Sequence, residues 1–201
     1  MMEAFLNTAL EAFKIESESI LATGAAIDNE EFEKAVIALA NAPRIAAAGC
    51  GHSGIACRHF AHLMCCIDLP ARFLSPAEAV HGGLGFLHEK DVLLVVSRGG
   101  KTDELIPIVE VAKVKGATVI CVTEKFESPL AQMADIKLKM VISRECDKYN
   151  CQGTTSFAVT SAIFDALQAA LVEYTGYQNE TFALIHPGGA VGKRLNNTDK
   201  K

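Results

Sequence analysis

Asp91-Val92-Leu93-Leu94-Val95-Val96-Ser97-Arg98-Gly99-Gly100-Lys101-Thr102-Asp103-Glu104 is the stretch from which the fold follows. Residues 92–96 are all valine or leucine, an unbroken apolar run that suits a strand buried on both faces. The run stops at Ser97, and a hydroxyl, a cation, two glycines, a lysine and a second hydroxyl follow. A helical pattern then begins, with Asp103 and Glu104 in its first turn, where the helix dipole favours acids. A strand that feeds a helix through a Gly/Ser/Thr loop is a place to hold a phosphate. Glycines let backbone N–H groups approach the oxygens, hydroxyls donate, and the helix N-terminus favours negative charge. The nucleotide-binding spacing Gly-x-x-x-x-Gly-Lys-Ser/Thr is absent. An ordinary β–α turn is the competing reading.

Upstream, the stripe of Met2, Phe5, Leu6, Ala9, Phe13 and Ile20 predicts an N-terminal helix. Asp28 with Glu31 resembles a capping box opening a second helix that ends before Pro43. Residues 44–48 predict a strand running into Gly49-Cys50-Gly51-His52-Ser53-Gly54, and residues 55–67 a buried helix. The glycine spacing fits a dinucleotide fingerprint, but the next strand, residues 71–74, ends in Ser75-Pro76 where a ribose-binding acid belongs. The loop is therefore read as a second phosphate or sugar cradle, with Ser53 as donor. His59 and His62 share a helix face and are read as ordinary helix residues rather than metal ligands. His81, beside Gly82 and Gly83 in a loop, is a stronger active-site candidate.

Downstream, helix 105–115, strand 118–122 and a short helix opened by Ser128-Pro129 are expected. The alternation of Ile136, Leu138, Met140 and Ile142 predicts an edge strand. A polar segment containing Glu145 leads to Thr154-Thr155-Ser156, read as a helix cap, and a long helix closed by Gly176. The last motif, residues 186–195, reads as a specified turn, and residues 196–201 as a frayed, disordered tail. Helices between successive strands predict a parallel sheet covered on both faces, a three-layer α/β sandwich. Its loops at the strands' carboxyl ends converge on one ligand.

The totals agree. The 201 residues, half of them hydrophobic, suit one domain. A net charge of −5 and the lack of a basic stripe argue against nucleic acid. No signal peptide and no uninterrupted apolar span long enough for a bilayer is read. Seven cysteines, an odd count without Cys-x-x-Cys, read as small hydrophobes in a reducing cytoplasm. Zinc-ligand spacing is missing.

Four blocks resemble the sugar isomerase (SIS) domain family, and within it arabinose 5-phosphate isomerases. They are Gly-Cys-Gly-His-Ser-Gly at 49–54, Glu-Ala-Val-His-Gly-Gly-Leu-Gly at 78–85, Ser-Arg-Gly-Gly-Lys-Thr-Asp-Glu at 97–104 and Phe-Ala-Leu-Ile-His-Pro-Gly-Gly-Ala-Val-Gly-Lys-Arg-Leu at 182–195. The resemblance implies one flavodoxin-like domain over residues 1–195 with a five-stranded parallel sheet, a phosphosugar substrate, and a homotetramer with sites between subunits. It implies phosphate contacts at Ser53, Ser97, Thr102 and Thr154, assisted by Arg98 and Lys101. Catalytic candidates are Glu145, His81, His52 and His186, the last reaching a neighbouring subunit's site. The chain departs from the family pattern where His52 replaces a lysine, and where Ser97-Arg98-Gly99-Gly100-Lys101 replaces Ser-Asn-Ser-Gly-Glu. Nothing resembling the CBS domains that often follow occurs within the 201 residues.

Aldose–ketose isomerisation moves a proton between adjacent carbons through an enediol. A base carries it and an acid or cation stabilises the oxyanion. Glu145 is the expected base, with His186 and His81 assisting ring opening and proton shuttling and His52 contacting the sugar or phosphate. The chemistry requires no metal or nicotinamide. The rival expectation is a non-catalytic phosphosugar sensor.

Overall fold

Alternate side chains of the central strands enter opposite cores, and that alternation builds the three layers. The computed structural model describes residues 2–196. Its strands are β1 (Ile45–Gly49), β2 (Ala71–Phe73), β3 (Val92–Val96), β4 (Thr118–Thr123) and β5 (Ile136–Lys139). All pair in parallel in the order β2-β1-β3-β4-β5. The helices are α1 (Met2–Ala25), α2 (Asn29–Asn41), α3 (Gly51–Cys65), α4 (Pro76–Ala79), α5 (Ile106–Val114), α6 (Pro129–Met133), α7 (Thr155–Thr175), α8 (Asn179–Ile185) and α9 (Gly189–Asn196). Two single turns of 3₁₀ helix occupy Gly83–Phe86 and Asp103–Leu105.

Ala47, Leu94, Val96, Ile120 and Leu138 point to the layer of α2, α3 and α7. Ala46, Leu93, Val95, Val119 and Cys121 point to α5 and α6. Each buried leucine or isoleucine contributes about 1.5–3 kcal/mol by leaving water. Strand β3 lies centrally, with every residue buried, as the unbroken apolar run predicts. Strand β5 is an edge, and its alternating burial matches its alternating sequence.

Helix α1 forms, but among the described residues of its apolar stripe only Ile20 packs on the core, and the other large side chains face outward. Phe5, Leu6, Phe13 and Leu21 are exposed, while Ile15, Ser19 and Thr23 are buried against the body. The buried hydroxyls serve the sheet edge. Thr23 Oγ1 donates to the Val141 carbonyl at 3.2 Å and accepts from the Val141 N–H at 2.9 Å. Ser19 Oγ lies 3.1 Å from Ser143 Oγ. Backbone groups beyond β5 thus find side-chain partners instead of a sixth strand.

Other local expectations meet tertiary competition. Asp28 caps α2 by accepting from the Glu31 N–H at 3.0 Å, but Glu31 does not return the bond; its Oε2 accepts from the Lys137 N–H at 2.8 Å. Ser128 precedes α6, yet its hydroxyl donates back to the Lys125 carbonyl. Residues 186–195, expected as a specified turn, make that turn only at 186–188, between α8 and α9; from Gly189 on they are helical. Glycine is a poor helix former, but a Cβ at Gly192 would overlap the His186 carbonyl, so the packing of α9 on the preceding turn requires it. Asn196 ends that helix, and the rest of the expected tail, residues 197–201, lies outside the described residues.

By length and composition, α7 alone among the described helices is apolar enough to cross a membrane. The sequence reading passed over it because Asp165 and several hydroxyls interrupt the run. Here α7 packs against α1, α2 and α3, with Phe164 stacked on Phe60 at 4.6 Å.

Asp91, at the foot of β3, is fully buried. It pairs with Arg44 at 2.9 Å and accepts from the His88 N–H at 2.7 Å. Asp91→Ala strands both donors and should lower unfolding free energy by about 3 kcal/mol, measured by urea denaturation.

Candidate functional site

Five loops leave the sheet at its carboxyl edge, and the strand order reverses between β1 and β3, where ligands gather in open α/β sheets. The β3 loop turns sharply. The Gly100 N–H donates to the Ser97 carbonyl at 3.0 Å, and Gly100 has φ +64°. The turn sets the Ser97 and Thr102 hydroxyls 2.8 Å apart. Lys101 projects into solvent with no acidic partner among the described residues. A side chain at Gly100 would fall on the Ser128 hydroxyl. The bare backbone is what lets this loop pack against the start of α6.

Arg98 crosses three loops. Its Nε donates to Glu124 Oε2 at 3.0 Å, beyond β4, and its Nη1 to Glu145 Oε1 at 2.7 Å, beyond β5. Glu145 is 2% exposed. Its other oxygen accepts from the Ser156 N–H at 3.1 Å and from Thr154 Oγ1 at 3.3 Å. The carboxylate therefore caps the N-terminus of α7, where the helix dipole favours a negative charge. Thr154, expected as the cap, instead ties the loop together by also accepting from the Cys146 N–H at 2.9 Å.

The loop between Glu145 and Thr154 is organised by Asp147, which accepts the backbone N–H groups of Gln152, Cys151 and Tyr149. These bonds, that of Gln152 foremost, hold the Asp147 carboxyl below its ordinary value.

His52 opens α3 and packs over Gly153, where a Cβ would strike its ring, and meets Phe157 edge-on at 6.4 Å. Ser53 follows it, half-buried, its hydroxyl without a hydrogen bond among the described residues. His52, Ser53, Ser97, Arg98, Lys101, Thr102, Glu145 and Thr154 thus all lie on the loops or first helical turns at the sheet's carboxyl edge.

Two expected residues stand apart. His81 sits exposed on the turn after α4. His186 packs on Phe182 at 5.0 Å and lines a small recess with His62 and Cys65, at the far end of α3. Its buried Nδ1 has no partner among the described residues. Nine residues of helix, at 1.5 Å each, place His62 about 14 Å from Ser53 along the axis. Within one chain, His186 does not join the cluster.

A cavity of about 510 Å³ lies at the switch point beside the β1 loop, lined by Cys50, Arg58, Phe73, Ser75 and Glu104 among others. Sequence reasoning assigned Glu104 only to the helix dipole and passed over Arg58. A carboxylate at the third residue after the loop's lysine was the available signal. Burial first, then Glu104, pushes the Cys50 thiol up, away from thiolate chemistry. All seven cysteines are unpaired. His59 and His62 turn to different neighbours, Asp165 at 3.8 Å and Cys66 at 3.6 Å.

Residues 38–170 match the SIS domain model, and the chain belongs to that family. Among its relatives is arabinose 5-phosphate isomerase KdsD of Pseudomonas aeruginosa, 34% identical over 95% of this chain and 59% of that protein. The probable arabinose 5-phosphate isomerase of Haemophilus influenzae is 32% identical over 95% of this chain and 57% of its own length. The chain thus spans less than three-fifths of the curated relatives it matches most strongly. A putative sugar-phosphate isomerase of Listeria monocytogenes superposes with TM-score 0.90 at 38% identity, covering 92% of this chain and 98% of that one. An Escherichia coli CFT073 protein solved in complex with arabinose 5-phosphate superposes with TM-score 0.86 at 25% identity, with the same coverages.

Two outcomes test this geometry. Gly100→Ala places a methyl on Ser128 at a positive φ and should cost about 2 kcal/mol in thermal or urea unfolding while weakening anion binding. The second concerns acid. Because the folded Asp147 is held low, its contribution is complete above the unfolded carboxyl pKa, about 3.9, and disappears as pH falls through the lower folded value. The Gln152 amide resonance should hold its shift from pH 7 to about 4 and move only below that.

Proposed function

We propose that the protein is an aldose–ketose isomerase acting on a phosphosugar, arabinose 5-phosphate and ribulose 5-phosphate being the pair that its relatives' names favour. The observation that carries this reading is a buried carboxylate, Glu145, on the loop after β5, tied by Arg98 to the Gly/Ser/Thr loop after β3, with His52 at the start of α3 against Gly153. Ser53, Ser97, Lys101 and Thr102 take the phosphate. The open-chain sugar then runs from the cradle toward Glu145. Glu145 removes the C2 proton of the aldose, electrons pass into the carbonyl to give the enediol, and the proton returns at C1 to give the ketose. The oxygens exchange their proton through a histidine, His52 or His81 within the same chain.

His186 serves a neighbouring copy's site in this reading, since its own cluster lies at the other end of α3. The outward stripe of Phe5, Leu6, Phe13 and Leu21 supplies apolar surface for such an assembly, and a homotetramer is the proposed state. A single domain over residues 1–195 in the reducing cytoplasm, binding neither nucleic acid nor membrane, completes the proposal. The unpaired cysteines and the acidic net charge support it.

One observation favours a second reading, a phosphosugar sensor without turnover: both oxygens of Glu145 are engaged by the protein. Turnover separates the two. Wild-type protein should convert arabinose 5-phosphate to ribulose 5-phosphate in a coupled assay, with solvent deuterium entering the transferred position. Glu145→Gln should lower kcat by at least about 10³-fold while leaving sugar-phosphate affinity within a few-fold. Binding without conversion by the wild type across pentose and hexose phosphates would give the sensor reading the field.

A further inference from the structure

The Arg98 guanidinium sits where it can meet either a substrate phosphate or the protein's own carboxylates, and two of its nitrogens are already committed to the carboxylates. Nε is held by Glu124 at 3.0 Å and Nη1 by Glu145 at 2.7 Å. Its main chain is fixed too, because the Arg98 carbonyl accepts from Thr123 Oγ1 and from the Glu124 N–H, each at 3.0 Å. Arg98 with Glu124 and Glu145 carries one positive and two negative formal charges, an excess that the Lys139 ammonium, on the Glu124 carbonyl at 2.8 Å, offsets only from the outer side. A phosphate dianion approaching it is repelled by that excess. Lys101, by contrast, is exposed and lacks an acidic partner among the described residues. It lies on the same loop as the paired Ser97 and Thr102 hydroxyls, and shares a recess of about 400 Å³ with Gly99, Lys125, Glu127 and Ser128.

We infer that Arg98 is a positioning residue for Glu145, not a phosphate ligand, and that Lys101 carries the cationic part of phosphate recognition. The inference rests on the isomerase reading of Glu145. It follows from how the two carboxylate oxygens are held. Oε2 is fixed by Thr154 and by the start of α7, whereas Oε1 has Arg98 as its donor. Without Arg98 the buried carboxylate loses its cation and one of its three donors. It then either swings away or takes up a proton, and in both cases the base is lost from its station. Glu124 acts at one remove, steering the guanidinium so that Nη1 points across the site.

The test is a kinetic split. Arg98→Met should lower kcat about a hundredfold, the cost of a base displaced by an ångström, with KM for arabinose 5-phosphate within about threefold. Lys101→Met should raise KM by more than about tenfold. Arg98→Lys, which keeps the charge but reaches a single carboxylate at a time, should recover part of the lost kcat. Added guanidinium should restore turnover to Arg98→Gly, which a fold-damaged variant would not show. A raised KM with kcat intact in Arg98→Met overturns the assignment. Calorimetric titration with inorganic phosphate runs alongside and is independent of turnover. Affinity kept in Arg98→Met and lost in Lys101→Met supports the assignment; the reverse overturns it. A wild type that binds phosphate without isomerising sinks the isomerase reading, and the titration still decides whether Arg98 is a phosphate ligand.

Discussion

The site depends on one guanidinium that bridges the loops beyond three strands. Arg98 leaves the end of β3 and reaches Glu124 beyond β4 and Glu145 beyond β5. A buried carboxylate is costly unless it is paired and hydrogen-bonded. Glu145 is tolerated at 2% exposure because Arg98, Thr154 and the first turn of α7 together supply both. The long polar loop from 140 to 154 is thereby nailed to the rigid part of the sheet at the point where chemistry would need it. The arginine does this without breaking the β3 turn, since Gly100, at φ +64°, takes up the backbone requirement.

Much of the architecture was legible because it is written locally. Residues 92–96 read as a central strand because burial on both faces leaves no room for a polar residue, and that is the strand observed. The alternation at 136–139 disclosed an edge in the same way. The Gly/Ser/Thr loops after β1 and β3 were placed at the sheet's carboxyl edge by topology alone. What escaped was non-local. The face that α1 buries is decided by Ser19 and Thr23 finding backbone groups more than a hundred residues away. Apolar content alone chooses the opposite face. The glycines at 189 and 192 signal a turn, and packing on the preceding turn carries them into α9 instead.

The candidate site was legible as a set of residue types but not as a set of bonds. His52, Ser53, Ser97, Thr102, Glu145 and Thr154 are gathered at one edge, as the order of loops implies. Arg98 was read as a cation for phosphate, because in sequence it has no visible partner. Its partners lie 26 and 47 residues downstream. His186, expected to serve a neighbouring subunit's site, lies with His62 and Cys65 and away from this cluster in its own chain. Glu104, on the cavity wall, looked like one more acid in a helix's first turn.

Helix α1 has two working surfaces, and they are back to back. Its inner side fastens residues 141–143 through Thr23 and Ser19, and Cys146 reaches the Ala12 carbonyl at 3.6 Å. Its outer side is the apolar stripe of Phe5, Phe13 and Leu21. Only the diameter of one helix, about 10 Å, lies between them. Whatever covers the outer stripe therefore leans on a wall whose other side carries the loop of Glu145. The outer stripe and the footing of that loop thus belong to one helix, with none of the sheet between them.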